Sequence, residues 1–228
     1  MFPIKDTSST RKFPFVNYII ILANIVVFIV EITAPDIQEF ITLYSFIPGE
    51  FIPYLLATYK GIFTSMWLHG GWFHLLSNMW FLHIFGDNIE DRVGHFRYFL
   101  FYLSAGVAAT LAQYVIDPFS FIPMVGASGA ISGIAGAYVV LFRHSRIQAL
   151  IPTFFGFWDI VELPSWIFLG YWLVIQVFSG IGSVVVTSAG EGGVAFFAHI
   201  GGFVFGWLIA KNMYKKKRPS LRDVFDYN

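Results

Sequence analysis

The sequence predicts an all-α membrane protein built as a bundle of six transmembrane helices. Of its 228 residues, 57% are hydrophobic and only 12% are charged, which is typical of a protein that spans a membrane. Six apolar segments alternate with joints that are rich in proline and glycine. The segments are Phe15–Ile32 and residues 71–85, 96–116, 128–142, 166–186 and 194–213. They are apolar almost all round, whereas the helices of a soluble protein would show a polar face at a period of 3.6 residues.

The six segments divide the chain into a membrane domain and two flanking pieces. The first segment is too long for a typical signal-peptide core and lacks a small-residue cleavage site, so we expect it to remain as the first helix. Residues 34–70 mix acidic, aromatic and polar side chains, which predicts a large external loop lying in the membrane interface. We therefore expect a cytoplasmic N-terminal segment at 1–14, a six-helix domain at 15–213 and a basic cytoplasmic tail at 214–228.

The basic residues predict the orientation of the bundle, because cytoplasmic loops are enriched in lysine and arginine. If both termini face the cytoplasm, thirteen of the 14 basic residues lie inside and only Lys60 lies outside. We expect a multi-pass protein of a prokaryotic plasma membrane with both ends in the cytoplasm. The chain contains no cysteine, which excludes disulfides, thiolate metal sites and a cysteine nucleophile.

Polar residues inside a membrane are costly, so their positions point to function. In the predicted topology the second, fourth and sixth helices all run inward, and each carries a polar group near its external end. These groups are His74, Asn78, Ser128 and His199. His74 and Asn78 are spaced i, i+4 and therefore share one helix face.

Glycines in the fourth and sixth helices predict close packing around these polar groups. Gly129 and Gly133 form a GxxxG pair, and Gly202 and Gly206 share a face with His199. Each feature has a plain structural explanation on its own: GxxxG for helix packing, Ser128 as a helix cap, and His199 as an interhelical bridge. Their conjunction favours a nucleophile, a base and oxyanion donors at one depth.

Three separated motifs in this sequence resemble those of the rhomboid intramembrane serine proteases. They are HGGWFHLLSNMW at 69–80, GASGAISG at 126–133 and AHIGGFVFG at 198–206. The resemblance implies a six-helix rhomboid-like bundle in which Ser128 is the nucleophile and His199 its general base. It also implies that His74, Asn78 and the backbone amide of Ser128 bind the oxyanion. We count Gly126, in the same motif, with Gly129, Gly133, Gly202 and Gly206 as glycines that allow close packing at the site.

Two positions of the resemblance leave a question open. Many rhomboids carry an aromatic residue one turn after the nucleophile, where its ring packs on the histidine, and this sequence has Ser132 there. What orients His199 is therefore open at this point. His69 matches another recurrent histidine of the family, near the rim of the active site, with a structural role more often than a chemical one.

The chemistry of the pair can be argued without the family. Serine is a weak nucleophile near neutral pH, and a neutral imidazole is its natural base. We expect no Asp or Glu in the external half of any helix, and so a dyad rather than a triad. The fourth segment is too short to bring Ser128 to the membrane surface, so hydrolysis requires a water-filled cavity open to the outside.

The expected partners are the lipid bilayer and single-span transmembrane substrates, with no nucleic acid, metal or cofactor. A helix hides its carbonyls in hydrogen bonds, so we expect cleavage near the external end of a substrate span, between small residues and with help from helix-breaking residues. We also look to the external end of helix five, residues 184–193, for a gating element.

Three alternatives differ in class from an active protease. A transporter would show internal duplication, and none is evident. A metalloprotein using His69, His74, His83 and His199 would need carboxylates or an HExxH motif. A catalytically inactive rhomboid-like protein that binds membrane proteins would share the fold, and a cleavage assay discriminates it from the enzyme.

Overall fold

The computed structural model is predominantly helical and describes residues 1–52, 55–152, 157–185 and 195–216. Its α-helices are, in chain order, α1 (Phe15–Ile32), α2 (Ile37–Tyr44), α3 (Lys60–Thr64), α4 (Trp72–Phe81), α5 (Asp87–Val93), α6 (His95–Ile116), α7 (Ser128–Leu141), α8 (Ser165–Val185) and α9 (Phe196–Lys216). Short 3-10 turns lie at Pro48–Glu50, Leu56–Tyr59 and Ser65–Trp67. Each of the six predicted segments is helical over nearly all of its described length. The basic tail predicted at 214–228 and the gating element predicted at 184–193 lie mostly outside the described residues.

Helix length and hydropathy identify two helices of the described chain that can cross a membrane unaided. α1 and α6 are long and apolar enough, whereas α7 and the stretch Ser165–Gly180 of α8 are apolar but shorter. A bilayer core of about 30 Å calls for about 20 apolar residues in a straight helix. The number of six crossings therefore stays a prediction.

The second predicted helix continues well past its expected end at residue 85. A π-helical turn, Leu82–Gly86, joins α4 to α5 without a break in the helical backbone, and Gly94, with φ of 87°, ends it. The side chain of Asn17 explains the wide turn, because its amide donates to the carbonyl oxygen of Leu82 at 2.9 Å. Side chains that bind helix carbonyls in this way produce such local widening.

The predicted helical fold is confirmed in its main part, but an antiparallel sheet in the described residues shows that the fold is not all-α. β1 (Phe2–Asp6) pairs with β2 (Arg146–Pro152), which pairs with β3 (Trp158–Pro164). β2 and β3 link α7 to α8, and Ile147 and Ala149 of β2 are fully buried. The sheet therefore lies at the Leu141 end of α7, opposite Ser128, and ties the N-terminal segment to the helices.

Buried polar contacts hold the N-terminal segment and α1 at this end of the molecule. The Glu90 carboxylate accepts the backbone amides of Val16 at 3.0 Å and Asn17 at 2.7 Å, and so caps α1 from a neighbouring helix. The Asp6 carboxylate accepts hydrogen bonds from the amide of Asn88 at 2.9 Å and from the Tyr138 hydroxyl. Burial raises the pKa of Asp6 above its usual value.

α7 is the central helix of the molecule, with every residue from 129 to 138 buried. Glycines let α9 approach it to backbone contact. A Cβ atom added to Gly202 would lie 2.1 Å from the carbonyl oxygen of Gly129, and one added to Gly206 would lie 1.8 Å from that of Gly133. On another side, Cβ atoms on Gly129 and Gly133 would lie 2.6 and 2.5 Å from Ala109 and Ala105 of α6. Small residues thus allow the backbones of α9 and α7 to come into direct contact.

Candidate active site

Ser128 is the first residue of α7 and lies where an irregular loop meets the central helix. Backbone hydrogen bonds anchor this loop to the stretch of chain between α2 and α4. The amides and carbonyl oxygens of Met124 and Phe46 pair in both directions, and the Gly126 amide donates to the carbonyl oxygen of Ser65 at 2.9 Å. Gly126 has φ of 123°, a conformation that a residue with a side chain rarely adopts. Both the loop and the helix therefore fix the position of Ser128.

The hydroxyl of Ser128 and the imidazole of His199 are in direct contact. Nε2 of His199 lies 2.8 Å from Oγ of Ser128, a distance typical of a hydrogen bond. His199 lies in the first turn of α9 and is 8% exposed. The glycine contacts between α7 and α9 therefore bring together two side chains that are 71 residues apart in the sequence.

Two side chains of α8 contact the other parts of the His199 ring. Oε1 of Gln176 lies 2.8 Å from Nδ1 of His199, and the Trp172 ring lies over the imidazole with 5.9 Å between centroids and 37° between planes. Trp172 and Gln176 are one helical turn apart and so share a face. They answer the question of what orients His199. The sequence signal for Gln176 is a polar residue within an apolar segment, as it is for His74 and Asn78.

Ser132 does not take the place of the missing aromatic ring. Its hydroxyl donates to the backbone carbonyl oxygen of Ser128 at 2.6 Å, inside α7, and its side chain is 1% exposed. Serine hydroxyls in helices commonly bind the carbonyl one turn earlier in this way. The ring that packs on His199 comes instead from Trp172 of α8.

His74 borders the loop beside Ser128. A Cβ atom on Gly126 would lie 2.7 Å from Nε2 of His74 and 3.5 Å from Oγ of Ser128, so both polar atoms face the same small volume. Nδ1 of His74 accepts the backbone amide of Gly70 at 3.4 Å. In a neutral imidazole this leaves the proton on Nε2, which can then donate toward that volume.

Asn78 lies one turn beyond His74 on the same face of α4 and is 6% exposed. Its Nδ2 is buried and has no hydrogen-bond partner among the described residues. Leaving a buried donor unpaired costs about 1–3 kcal/mol, so such groups call for an explanation. A ligand atom that accepts the amide proton would provide one.

His69 is fully buried against His74, and its contacts are with other residues of the protein core. Its ring meets that of His74 edge to face at 5.1 Å, and its backbone amide donates to Glu31 at 3.0 Å. Glu31 is in the last turn of α1 and is 1% exposed. The expectation that no acid lies in the external half of any helix is therefore wrong. In the structure, however, Glu31 holds a backbone amide, and His199 has an amide oxygen as its partner.

A small cavity of about 30 Å³ opens beside Ser128. Its walls include Gly106, Ala109 and Thr110 of α6 together with Ala130 of α7 and Ala198 of α9. Alanine and glycine from three helices form much of the lining of this cavity, together with Met66, Met124 and Val125. Within the described part of the chain, no cluster of three or more His, Asp or Glu side chains suited to a metal ion is present, and His83 lies away from this site against Tyr18 and Trp80.

Comparison with known proteins shows which family the sequence resembles. The Rhomboid domain family matches residues 57–216, which include α4 to α9 and every residue of the site. "Rhomboid-like protein 11, chloroplastic" of Arabidopsis thaliana is 30% identical over 158 residues, covering 65% of this chain and 51% of that protein. "Rhomboid-like protease 5" of Toxoplasma gondii is 32% identical over 163 residues, covering 67% of this chain and 16% of that protein.

A third relative matches a larger share of the chain. "Rhomboid protein 1, mitochondrial" of Saccharomyces cerevisiae is 24% identical over 200 residues, covering 82% of this chain and 51% of that protein. The chain thus spans about half or less of the length of these curated relatives. Since relatives carry chloroplast and mitochondrial names, the matches do not support the expected prokaryotic plasma membrane.

Proposed function

Because the chain belongs to the rhomboid family, whose members are integral membrane proteins, we propose that it is an intramembrane serine protease with Ser128 and His199 as its catalytic dyad. The observation that supports this most strongly is the 2.8 Å contact between Oγ of Ser128 and Nε2 of His199. Nδ1 of the same ring faces an amide oxygen that can only accept a proton, so Nε2 is the free base. The serine hydroxyl therefore faces a proton acceptor.

In the proposed reaction Oγ of Ser128 attacks the carbonyl carbon of the scissile bond while its proton passes to Nε2 of His199. The tetrahedral intermediate collapses when His199 returns that proton to the leaving amine, and the C–N bond breaks. Water then attacks the acyl-enzyme with His199 as base, which releases the new carboxylate and restores the serine.

The negative oxygen of the intermediate needs donors that are already in place. We assign this role to Nδ2 of Asn78, Nε2–H of His74 and the backbone amide of Ser128, which begins α7. The unpaired state of Nδ2 and the shared volume beside Gly126 support the assignment. A donor held ready in a site of low dielectric is typically worth about 10²- to 10³-fold in turnover.

The proposed topology has six spans, with both termini and the β-sheet on the cytoplasmic side. Thirteen of the 14 basic residues then lie inside, in agreement with the usual bias. Ser128 lies near the external face, at the start of a helix of 14 residues, about 21 Å long. Substrates are transmembrane proteins whose helix unwinds locally near its external end, where water can receive the freed backbone groups.

Labelling with a fluorophosphonate probe, followed by mass spectrometry, tests the dyad. We expect modification at Ser128 alone, no modification in His199→Ala, and no proteolysis of a single-span substrate by Ser128→Ala or His199→Ala. Ser132→Ala is the matched control, because Ser132 is one turn away on the same helix and should leave both signals unchanged.

Cleavage by Ser128→Ala would refute the assignment. Absence of both labelling and cleavage in the folded wild type, together with retained binding of membrane proteins, would support the inactive rhomboid-like alternative.

A further inference from the structure

Gln176 lies in a part of α8 where a polar side chain is otherwise unfavourable. Its sequence neighbours Ile175 and Val177 are 42% and 36% exposed on the outer surface of the described chain, which faces lipid in a membrane. An amide that leaves water for an apolar environment loses free energy unless it finds a hydrogen-bond partner. Gln176 finds that partner in Nδ1 of His199, at 2.8 Å.

This contact selects one tautomer of the imidazole. Oε1 of an amide accepts hydrogen bonds and donates none, so Nδ1 must carry the ring proton for the contact to be favourable. Neutral histidine then has its lone pair on Nε2, which faces Oγ of Ser128 at 2.8 Å. The opposite tautomer would place a proton between Nε2 and the serine and would remove the base.

The amide also suits the site better than a carboxylate would. In a soluble triad an acid holds the histidine, but an ionised acid at the lipid-facing side of a helix bundle carries a large desolvation cost. A glutamine accepts the hydrogen bond from Nδ1–H without bringing a charge, both before the reaction and when the ring becomes an imidazolium. Trp172, one turn earlier on the same face of α8, covers the ring and limits its rotation.

From this geometry, and building on the proposed function, we infer that Gln176 is a positioning residue that holds His199 in the tautomer needed to activate Ser128. Gln176 acts through His199 and does not touch the reacting atoms. The site then consists of serine, histidine and glutamine joined by two hydrogen bonds, with one side chain each from α7, α9 and α8. Any displacement of α8 away from α9 would release the histidine.

Nitrogen-15 NMR of imidazole-labelled protein in detergent tests the tautomer directly in the wild type. The chain has 6 histidines, so comparison with His199→Ala assigns the His199 signals. We expect a protonated Nδ1 and a non-protonated Nε2 at His199. A neutral ring with the proton on Nε2 would overturn the inference without any substitution in α8.

Kinetics of Gln176→Met then test the consequence, because methionine keeps the length of the side chain and removes the acceptor. We expect kcat for a single-span substrate and the rate of fluorophosphonate labelling to fall about 10- to 100-fold, part of the 10²–10⁴ that a positioned base typically contributes, with KM unchanged. Ile175→Met, on the lipid-facing side of the same helix, is the control and should match the wild type. The small probe does not depend on how a substrate helix passes α8, so a change confined to KM would assign Gln176 to substrate access and contradict the inference.

A shorter amide covers the case in which Gln176→Met fails to fold. Gln176→Asn retracts the acceptor by one methylene. In both Gln176→Met and Gln176→Asn we expect the His199 proton to move in part from Nδ1 to Nε2, with a loss of kcat in the folded protein. Wild-type labelling rates and an unchanged His199 spectrum in either variant would overturn the inference. Those results would leave the proposed function standing as long as Ser128→Ala remains inactive, whereas cleavage by Ser128→Ala would remove the proposed function itself.

Discussion

The two ends of α7 differ in how their polar groups are paired. At the Leu141 end, the Tyr138 hydroxyl and the Asn88 amide both donate to the Asp6 carboxylate, and Glu90 accepts two backbone amides of α1. At the Ser128 end, Nδ2 of Asn78 is buried without a partner in the described chain, and Ser128 and His199 bind each other beside a small cavity.

This difference separates the anchoring contacts of Asp6 and Glu90 from the proposed active site. Paired carboxylates hold the N-terminal strand and α1 to the base of the bundle. Unpaired donors at the other end carry a free-energy cost that a bound oxyanion would remove. Burial therefore does not mark function in this protein, and neither does an unpaired buried atom alone, since Asn88 Oδ1 at the Leu141 end also has no partner in the described chain. What distinguishes Asn78 is that its unpaired donor lies one helical turn from His74, which faces the same small volume as Ser128.

Glycine contacts along α7 should be the most sensitive feature of the molecule, since both ends depend on them. Gly206→Ala would bring a methyl group to 1.8 Å from the carbonyl oxygen of Gly133, so the helices must separate. We expect a loss of about 3 kcal/mol of stability, measured by thermal unfolding in detergent, with loss of activity. Gly170→Ala is the control, because an added Cβ there meets no atom within 4 Å. That variant should be as stable as the wild type or about 0.5–1 kcal/mol more stable, as expected for alanine in a helix. Equal melting of both variants would contradict the packing account.

Removal of the unpaired donor should affect turnover and spare the fold. Asn78→Ala deletes Nδ2, and we expect kcat to fall about 10²- to 10³-fold with a stability equal to or above that of the wild type. The control is Ser77→Ala, whose hydroxyl binds the backbone carbonyl of His74 and should affect turnover little. A fall in activity that matches a fall in the unfolding temperature would assign Asn78 a structural role instead.

Removal of the Asp87 charge, beside Asp6, should produce the smallest effect on stability, and this effect should depend on pH. Burial, together with the nearby Asp6 carboxylate, raises the pKa of Asp87 to about 7, whereas its ordinary value is 3.8. The unfolded chain therefore loses this proton first as the pH rises, and stability falls between about pH 4 and pH 7. Asp87→Asn keeps the Oδ1 acceptor without the charge. The free energy of unfolding of this variant should exceed that of the wild type by on the order of 1 kcal/mol at pH 7 and should be unchanged at pH 4. The expected gain is small because solvent partly reaches the group. A gain of the same size at both pH values in equilibrium unfolding would exclude the charge as its cause.

Much of the helical framework and the central pair could be predicted because both depend on patterns that are local in the sequence. Apolar length places the helices, and the glycine spacing of α7 and α9 predicts an approach close enough for Ser128 and His199 to meet. The sheet was missed because β2 and β3 are short and end in proline, and because β2 also pairs with β1 at residues 2–6, far away in the sequence. Gln176 was missed for a different reason. Its role depends on the rotation of α8 about its axis, and the hydrophobicity of a lipid-exposed helix does not fix that rotation.

The most direct test of the central claim is the mass-spectrometric map of the bond that purified enzyme cuts in a single-span substrate. We predict one cluster of cuts near the external end of the span, between small residues that fit the cavity of about 30 Å³ beside Ser128. Gly or Pro placed deeper in the substrate helix should increase the rate because it lowers the cost of unwinding. No product should appear with Ser128→Ala. Cuts at the cytoplasmic end of the span, or the same products from Ser128→Ala, would contradict the account.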